Sequence, residues 1–248
     1  MCRHLGYLGP PMPVSALLHD APHSLVRQSY APTDMRGGGT VNADGYGVGW
    51  FPAPGASTVR YRRAGPIWSD ENLLALSRVV HTGALLAAVR SASIGMPVVD
   101  TACAPFTDGR RLFSLNGRVA GWPDSVADLA KSLPVTDLLT LDAPTDSALL
   151  WASLRARLDA GVPATDAVVD LVSEVAAVAP GSRLNLLLTD GDVLVGTAWT
   201  HSLWTRATSE SVTVCSEPLD DEPGWHQVPD GHVVTATRST VDIRPMGQ

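Results

Sequence analysis

Met1-Cys2-Arg3-His4-Leu5-Gly6-Tyr7 is the stretch on which the fold turns, because it puts a cysteine directly behind the initiator methionine of a 248-residue chain. A small second residue allows the methionine to be trimmed, so that the mature chain begins at Cys2. One Cα then carries both a thiol and an α-amine, and a free α-amine titrates near ~8, close to ambient pH. A nucleophile and a general base built into one residue need no separate histidine. The bland alternative is a solvated start to a first strand, with Arg3 to Leu8 extended and Pro10 to Pro13 ending it. Cys2 with His4 offers one edge of a zinc site, but no second pair of ligands follows. Cys103 and Cys215 have no metal spacing either, so neither a metal nor a cofactor is expected.

Composition narrows the class. With 45% hydrophobic and 17% charged residues, and no linker, repeat or low-complexity run, the expectation is one α+β domain spanning residues 1–248. No apolar run approaches the ~18 residues of a membrane helix, and the prolines break any signal-like segment, so a cytoplasmic protein without membrane contact is expected. A net charge of -7, with Lys131 the single lysine, argues against nucleic acid as a partner.

Further along, Tyr30 to Asp44 reads as a loop centred on Gly37-Gly38-Gly39, serving either close backbone approach or a surface loop. Glycines alternate in Asn42-Ala43-Asp44-Gly45-Tyr46-Gly47-Val48-Gly49-Trp50-Phe51, which leaves one strand face bare where another backbone or a ligand must lie close. Val59 to Arg62 is the returning strand. Ser69-Asp70-Glu71 caps a helix whose buried face is Leu73, Leu76, Val79 and Val80, with Gly83 as its stop. Ala84 to Ser93 then makes an apolar strand bearing one charge, Arg90. A guanidinium there needs a carboxylate, supplied by the protein or by a substrate.

Arg111 to Leu115 and Arg118 to Trp122 predict a hairpin turning at Asn116-Gly117. The same pair is also a ready set of oxyanion donors. Thr145-Asp146-Ser147 caps a helix running to Leu158, and a second helix covers Thr165 to Ala179. Strands are expected over Arg183 to Thr189, Val193 to Thr200, Val212 to Ser216 and His232 to Thr237.

Cys2, the Asp44 to Gly49 run, Arg90-Ser91-Ala92-Ser93, Pro105-Phe106 with Asn116-Gly117, and Thr145-Asp146-Ser147, in that order, resemble the class II glutamine amidotransferases. Ser216-Glu217-Pro218-Leu219 and Trp225 resemble the closing strands of stand-alone members, so the likeness covers nearly the whole chain. It implies the N-terminal nucleophile hydrolase fold, an αββα sandwich of two antiparallel sheets between helical layers. It also implies roles: Cys2 as nucleophile with its amine as base, and Asn116 and Gly117 as the oxyanion hole. Arg90 would bind the glutamyl α-carboxylate and Asp146 the α-ammonium, with Gly45 and Ser93 contributing to the substrate site. The chain departs from the family's frequent residues at Ala88 and Leu115, where histidine is common, at Ser93, often Thr, and at Ala102 and Ala104, often Asn and His or Gln. These departures bear on the leaving group.

The implied activity is hydrolysis of a small-molecule γ-glutamyl amide. The alternatives are a glutaminase subunit feeding ammonia to a separate synthetase, and a silent relative acting as a binding subunit. Homo-oligomers are compatible with the sequence. Trp50, Tyr46, Trp151 and Trp122 are aromatic candidates for a cationic leaving group, each also readable as plain core.

Overall fold

In the computed structural model, which describes residues 2–36 and 41–247, side-chain alternation along the first strand sets the layers. Leu5 and Tyr7 turn outward to pack with Val14, Leu18, Leu25 and Leu73. Leu8 turns the other way, against Leu112, Leu187, Leu194 and Val214. A strand buried on both faces must be central, and this one is. Gly37-Gly38-Gly39 lie outside the described residues.

In chain order the strands are β1 (Arg3–Pro13), β2 (Gly45–Trp50), β3 (Val59–Arg63), β4 (His81–Arg90), β5 (Phe106–Thr107), β6 (Leu112–Arg118), β7 (Arg183–Thr189), β8 (Leu194–Ala198), β9 (Trp204–Ala207), β10 (Val212–Cys215), β11 (Trp225–Gln227), β12 (His232–Ala236) and β13 (Val241–Pro245). One sheet has the order β11-β9-β10-β1-β4-β2-β3 and the other β13-β12-β8-β7-β6-β5. Every pairing is antiparallel. Helices α1 (Leu25–Tyr30) and α2 (Glu71–Val79) cover the first sheet. Over the second lie the short α3 (Ala127–Lys131) and α4 (Val135–Leu139) and the long α5 (Asp146–Asp159) and α6 (Ala164–Val178). The result is the expected αββα sandwich.

Local chemistry explains most boundaries. Asp70 caps α2 by accepting from Leu73 N (2.9 Å), and Thr145 caps α5 by accepting from Ala148 N (3.3 Å). The bare face of β2 meets protein backbone and side chains: a Cβ on Gly47 would lie 2.4 Å from the Ala104 carbonyl oxygen, and one on Gly45 2.3 Å from Cys103 Sγ.

Three expectations are corrected. β1 continues through the prolines to Pro13, because a register shift between Leu8 and Met12 removes the need for their N–H groups in the ladder. Helix α2 ends before Gly83, which lies inside β4, and Val79 is exposed rather than buried. Asn116-Gly117 makes no turn: β6 runs straight through it, pairing Asn116 with Asn185 and Gly117 with Leu184. Glycine is required there for another reason, since a Cβ would sit 1.8 Å from the Arg183 carbonyl oxygen.

Candidate active site

Strand register assembles the site. Pairing of Arg3 with Val89 sets Cys2, the residue before β1, opposite Arg90, and Arg90 pairs with Gly45. Cys2, Arg90 and Gly45 therefore form a row across three strands at one end of the first sheet. Cys2 is half-buried and its thiol points at the Ser91 carbonyl oxygen, 3.8 Å away. The other thiols are removed from chemistry. Cys103 donates to the Arg63 and Val99 carbonyls at 3.3 and 3.4 Å, and burial pushes it up to about 11; Cys215 is fully buried, donates to Glu217 O at 2.9 Å and is raised by burial too.

Cys2 opens onto a cavity shared with Arg90, Ser147, Tyr46, Phe106 and four of the five departure positions, Ala88, Ala102, Ala104 and Leu115. Small apolar side chains thus line the space beside the thiol. Arg90 donates through Nη1 to the Pro97 carbonyl (2.9 Å), and among the described residues no carboxylate is in ion-pair contact with it. The rest of its planar fork is free to take a carboxylate bidentately.

Asp146, at the start of α5, is buried. One carboxylate oxygen accepts from Val119 N at 3.0 Å, just past the end of β6, and the other from Ser147 N at 2.7 Å and Ser147 Oγ at 3.3 Å. Burial raises its pKa, opposed by those N–H bonds and by the charge of Arg90. The oxygen that accepts from Val119 retains a lone pair for an ammonium.

Asn116 reaches in from the second sheet. Its Nδ2 donates to Ser216 Oγ (3.2 Å), and its Oδ1 is buried without a partner. Ser216 in turn binds the backbone of His4, so Asn116 is tied to the strand that carries Cys2. Ser93 is exposed in the turn after β4 and does not line the cavity; Gly45 borders Arg90 without lining it. The sequence reading missed Ser147 and the Ser91 carbonyl, though both adjoin residues it had singled out.

Of the aromatic candidates, Trp50 and Trp151 are buried in the core and Trp122 packs half-buried against the helices of the second sheet, whereas Tyr46, itself buried, lines the cavity beside Cys2. Tyr46 and Tyr61 both donate to Asp70, at the wall of an open basin of about 420 Å³ with Arg63 and Glu71. The aliphatic hydroxyl lining that basin, Ser69, already donates to the Pro66 carbonyl (2.8 Å), and the tyrosine hydrogen bonds serve to fix the cap of α2. Among the described residues no group of histidine, cysteine or acidic side chains could hold a metal ion, and no helix is long and apolar enough to cross a membrane.

An αββα sandwich of two antiparallel sheets, with Cys2 just before a central strand and opposite Arg90, is the architecture of the N-terminal nucleophile class. The model of class II glutamine amidotransferases matches residues 16–211, and the chain belongs to that family. It is 40% identical over 243 residues to the γ-glutamyl-hercynylcysteine sulfoxide hydrolase of Mycobacterium tuberculosis, covering 98% of this chain and 96% of that one. The hydrolase of the same name from Mycolicibacterium smegmatis is 36% identical over 246 residues, covering 99% and 100%. A glutamine aminotransferase class-II domain protein from Silicibacter pomeroyi superposes with a TM-score of 0.70 at 22% identity, each chain fully covered.

Proposed function

We propose that this chain is an amidohydrolase that cleaves the γ-glutamyl amide bond of γ-glutamyl-hercynylcysteine sulfoxide, releasing glutamate and hercynylcysteine sulfoxide in ergothioneine biosynthesis. It works in the cytoplasm on this small molecule, without nucleic acid, membrane or synthetase partner. The observation that carries the reading is the row of Cys2, Arg90 and Gly45, in which the accessible thiol stands opposite a guanidinium lacking a protein carboxylate.

Once Met1 is removed, the Cys2 α-amine takes the thiol proton and Sγ attacks the γ-carbonyl carbon. Negative charge develops on the carbonyl oxygen, where Asn116 Nδ2 and Gly117 N–H donate. The C–N bond then breaks, the amine departs with the proton held by the α-amine, and a thioester remains on Cys2. Water, deprotonated by the same amine, attacks the thioester and frees glutamate. Throughout, Arg90 holds the α-carboxylate and Asp146 the α-ammonium. Ala88, Ala102, Ala104 and Leu115 line the space beside the thiol, so they are the residues a leaving group would meet.

Two measurements test this. Intact mass of the active enzyme should lack Met1, and Cys2→Ala should abolish turnover; retained Met1 or retained activity overturns the mechanism. Comparing kcat/KM for glutamine with that for γ-glutamyl amides of larger leaving groups decides the substrate. A preference for glutamine would support the ammonia-supplying alternative instead.

A further inference from the structure

Ser216 stands where the two sheets' contributions to the site meet. It is fully buried just beyond β10. Its backbone N–H donates to His4 O (3.0 Å), its Oγ accepts from His4 N (3.0 Å) and from Asn116 Nδ2 (3.2 Å), and its hydroxyl lies 3.3 Å from His4 O as donor. Asn116 Oδ1 is left buried with nothing to accept from. That arrangement spends the amide's donor end on Ser216 and turns its acceptor end away from Ser216, where nothing donates to it. An acceptor there would repel a developing oxyanion.

A half-turn of the carboxamide preserves its shape and exchanges the two ends. The Ser216 hydroxyl then swings from its long contact with His4 O to donate to Asn116 Oδ1, and Nδ2 turns away from Ser216 with both hydrogens uncommitted. His4 O keeps its bond from the Ser216 N–H, so no group loses its partner.

We infer that Ser216 is a positioning residue for hydrolysis: its hydroxyl selects the donor-forward orientation of Asn116 and, by binding the His4 backbone, holds that donor in register with Cys2. This rests on the reading of Asn116 as an oxyanion donor. Ser216 itself touches neither substrate nor reacting atoms.

The test is a double-mutant cycle on the purified, Met1-processed enzyme, with γ-glutamyl amide turnover as the readout and melting curves in parallel. Asn116→Ala should lower kcat by ~10²–10³, the scale of one oxyanion donor. Ser216→Ala should lower kcat by about tenfold, the scale of one orienting hydrogen bond, with KM within about twofold. In the Asn116→Ala background it should lower kcat no further, because its effect runs through the carboxamide. Independent, multiplying losses, an unchanged kcat in Ser216→Ala, or a loss confined to KM would overturn the inference. Full activity in Asn116→Ala would instead remove the oxyanion reading beneath it. If Ser216→Ala does not fold, Ser216→Cys, which keeps a weaker donor of similar size, carries the same cycle and should lower kcat by a few-fold, with no further loss in the Asn116→Ala background.

Discussion

Glu217→Gln removes one charge from the most deeply buried ion pair among the described residues, Arg3 with Glu217 at 2.8 Å, the two side chains being 1% and 2% exposed. Glu217 Oε2 also accepts from Thr33 N (2.7 Å) and Thr33 Oγ1 (2.6 Å). Arg3 reaches the Cys2 carbonyl (3.4 Å) and the Asp34 carbonyl. The pair therefore fastens the residue after Cys2 to the segment around Thr33 and Asp34. A neutral amide can still accept from Thr33, but it leaves the guanidinium buried among carbonyls alone. Stranding one partner of a buried pair costs ~3–5 kcal/mol, a large share of the ~5–15 kcal/mol that holds a domain together. At ~2–4 °C per kcal/mol for a chain of this size, the melting temperature should fall by roughly 6–20 °C. Replacing both partners, Arg3→Met with Glu217→Leu, removes both desolvation penalties and should recover most of that loss. The assay is thermal unfolding of wild type, single and double variants at neutral pH. A single-variant shift below about 2 °C, or a double variant less stable than the single, refutes the reasoning.

Arg90→Lys keeps a cation but loses the planar fork, so KM should rise about tenfold or more with kcat little changed; a KM within twofold of wild type removes the carboxylate role. Asp146→Asn replaces one accepting oxygen by an NH2 donor, set against an N–H already aimed at it from Val119 or Ser147. It should raise KM for γ-glutamyl substrates while sparing des-amino glutaryl amides, and an equal loss on both refutes the ammonium contact. Stability should also depend on pH through His4 and His201. Burial, then His201 and Arg3, hold His4 down at about 3; burial, then Arg183 and Arg3, hold His201 at about 4. Unfolded, each binds a proton near ~6.5, so stability is fully present above that pH and is lost as pH falls toward 4, by about 1.4 kcal/mol per pH unit for each histidine. Melting temperatures from pH 7.5 to 4.5 test this, and a slope unchanged by His201→Asn would show that His201 is not a source.

What the sequence disclosed, and what it hid, follows from the range over which each residue's reason acts. The alternating glycines of β2 announced a close approach, and the neighbour is the Ala104 carbonyl. Asp70 and Thr145 announced their helices because a cap is satisfied within three residues. The row of Cys2, Arg90 and Gly45 depends on which strands are neighbours, a fact absent from any one segment, so resemblance suggested the group but only register assembles it. Arg3 gave no hint of Glu217, more than two hundred positions away. Asn116-Gly117 is the instructive error. Local propensity makes that pair a turn, and both residues disfavour strands, yet β6 keeps them because Gly117 must let the Arg183 carbonyl approach and Asn116 must extend an amide toward Ser216. A strand that tolerates two poor strand formers side by side gives up local stability for something that local structure does not explain. The conflict between propensity and fold at Asn116-Gly117 is itself a marker of the site: a turn there would have carried the amide away from Ser216, and with it away from the strand that begins at Cys2.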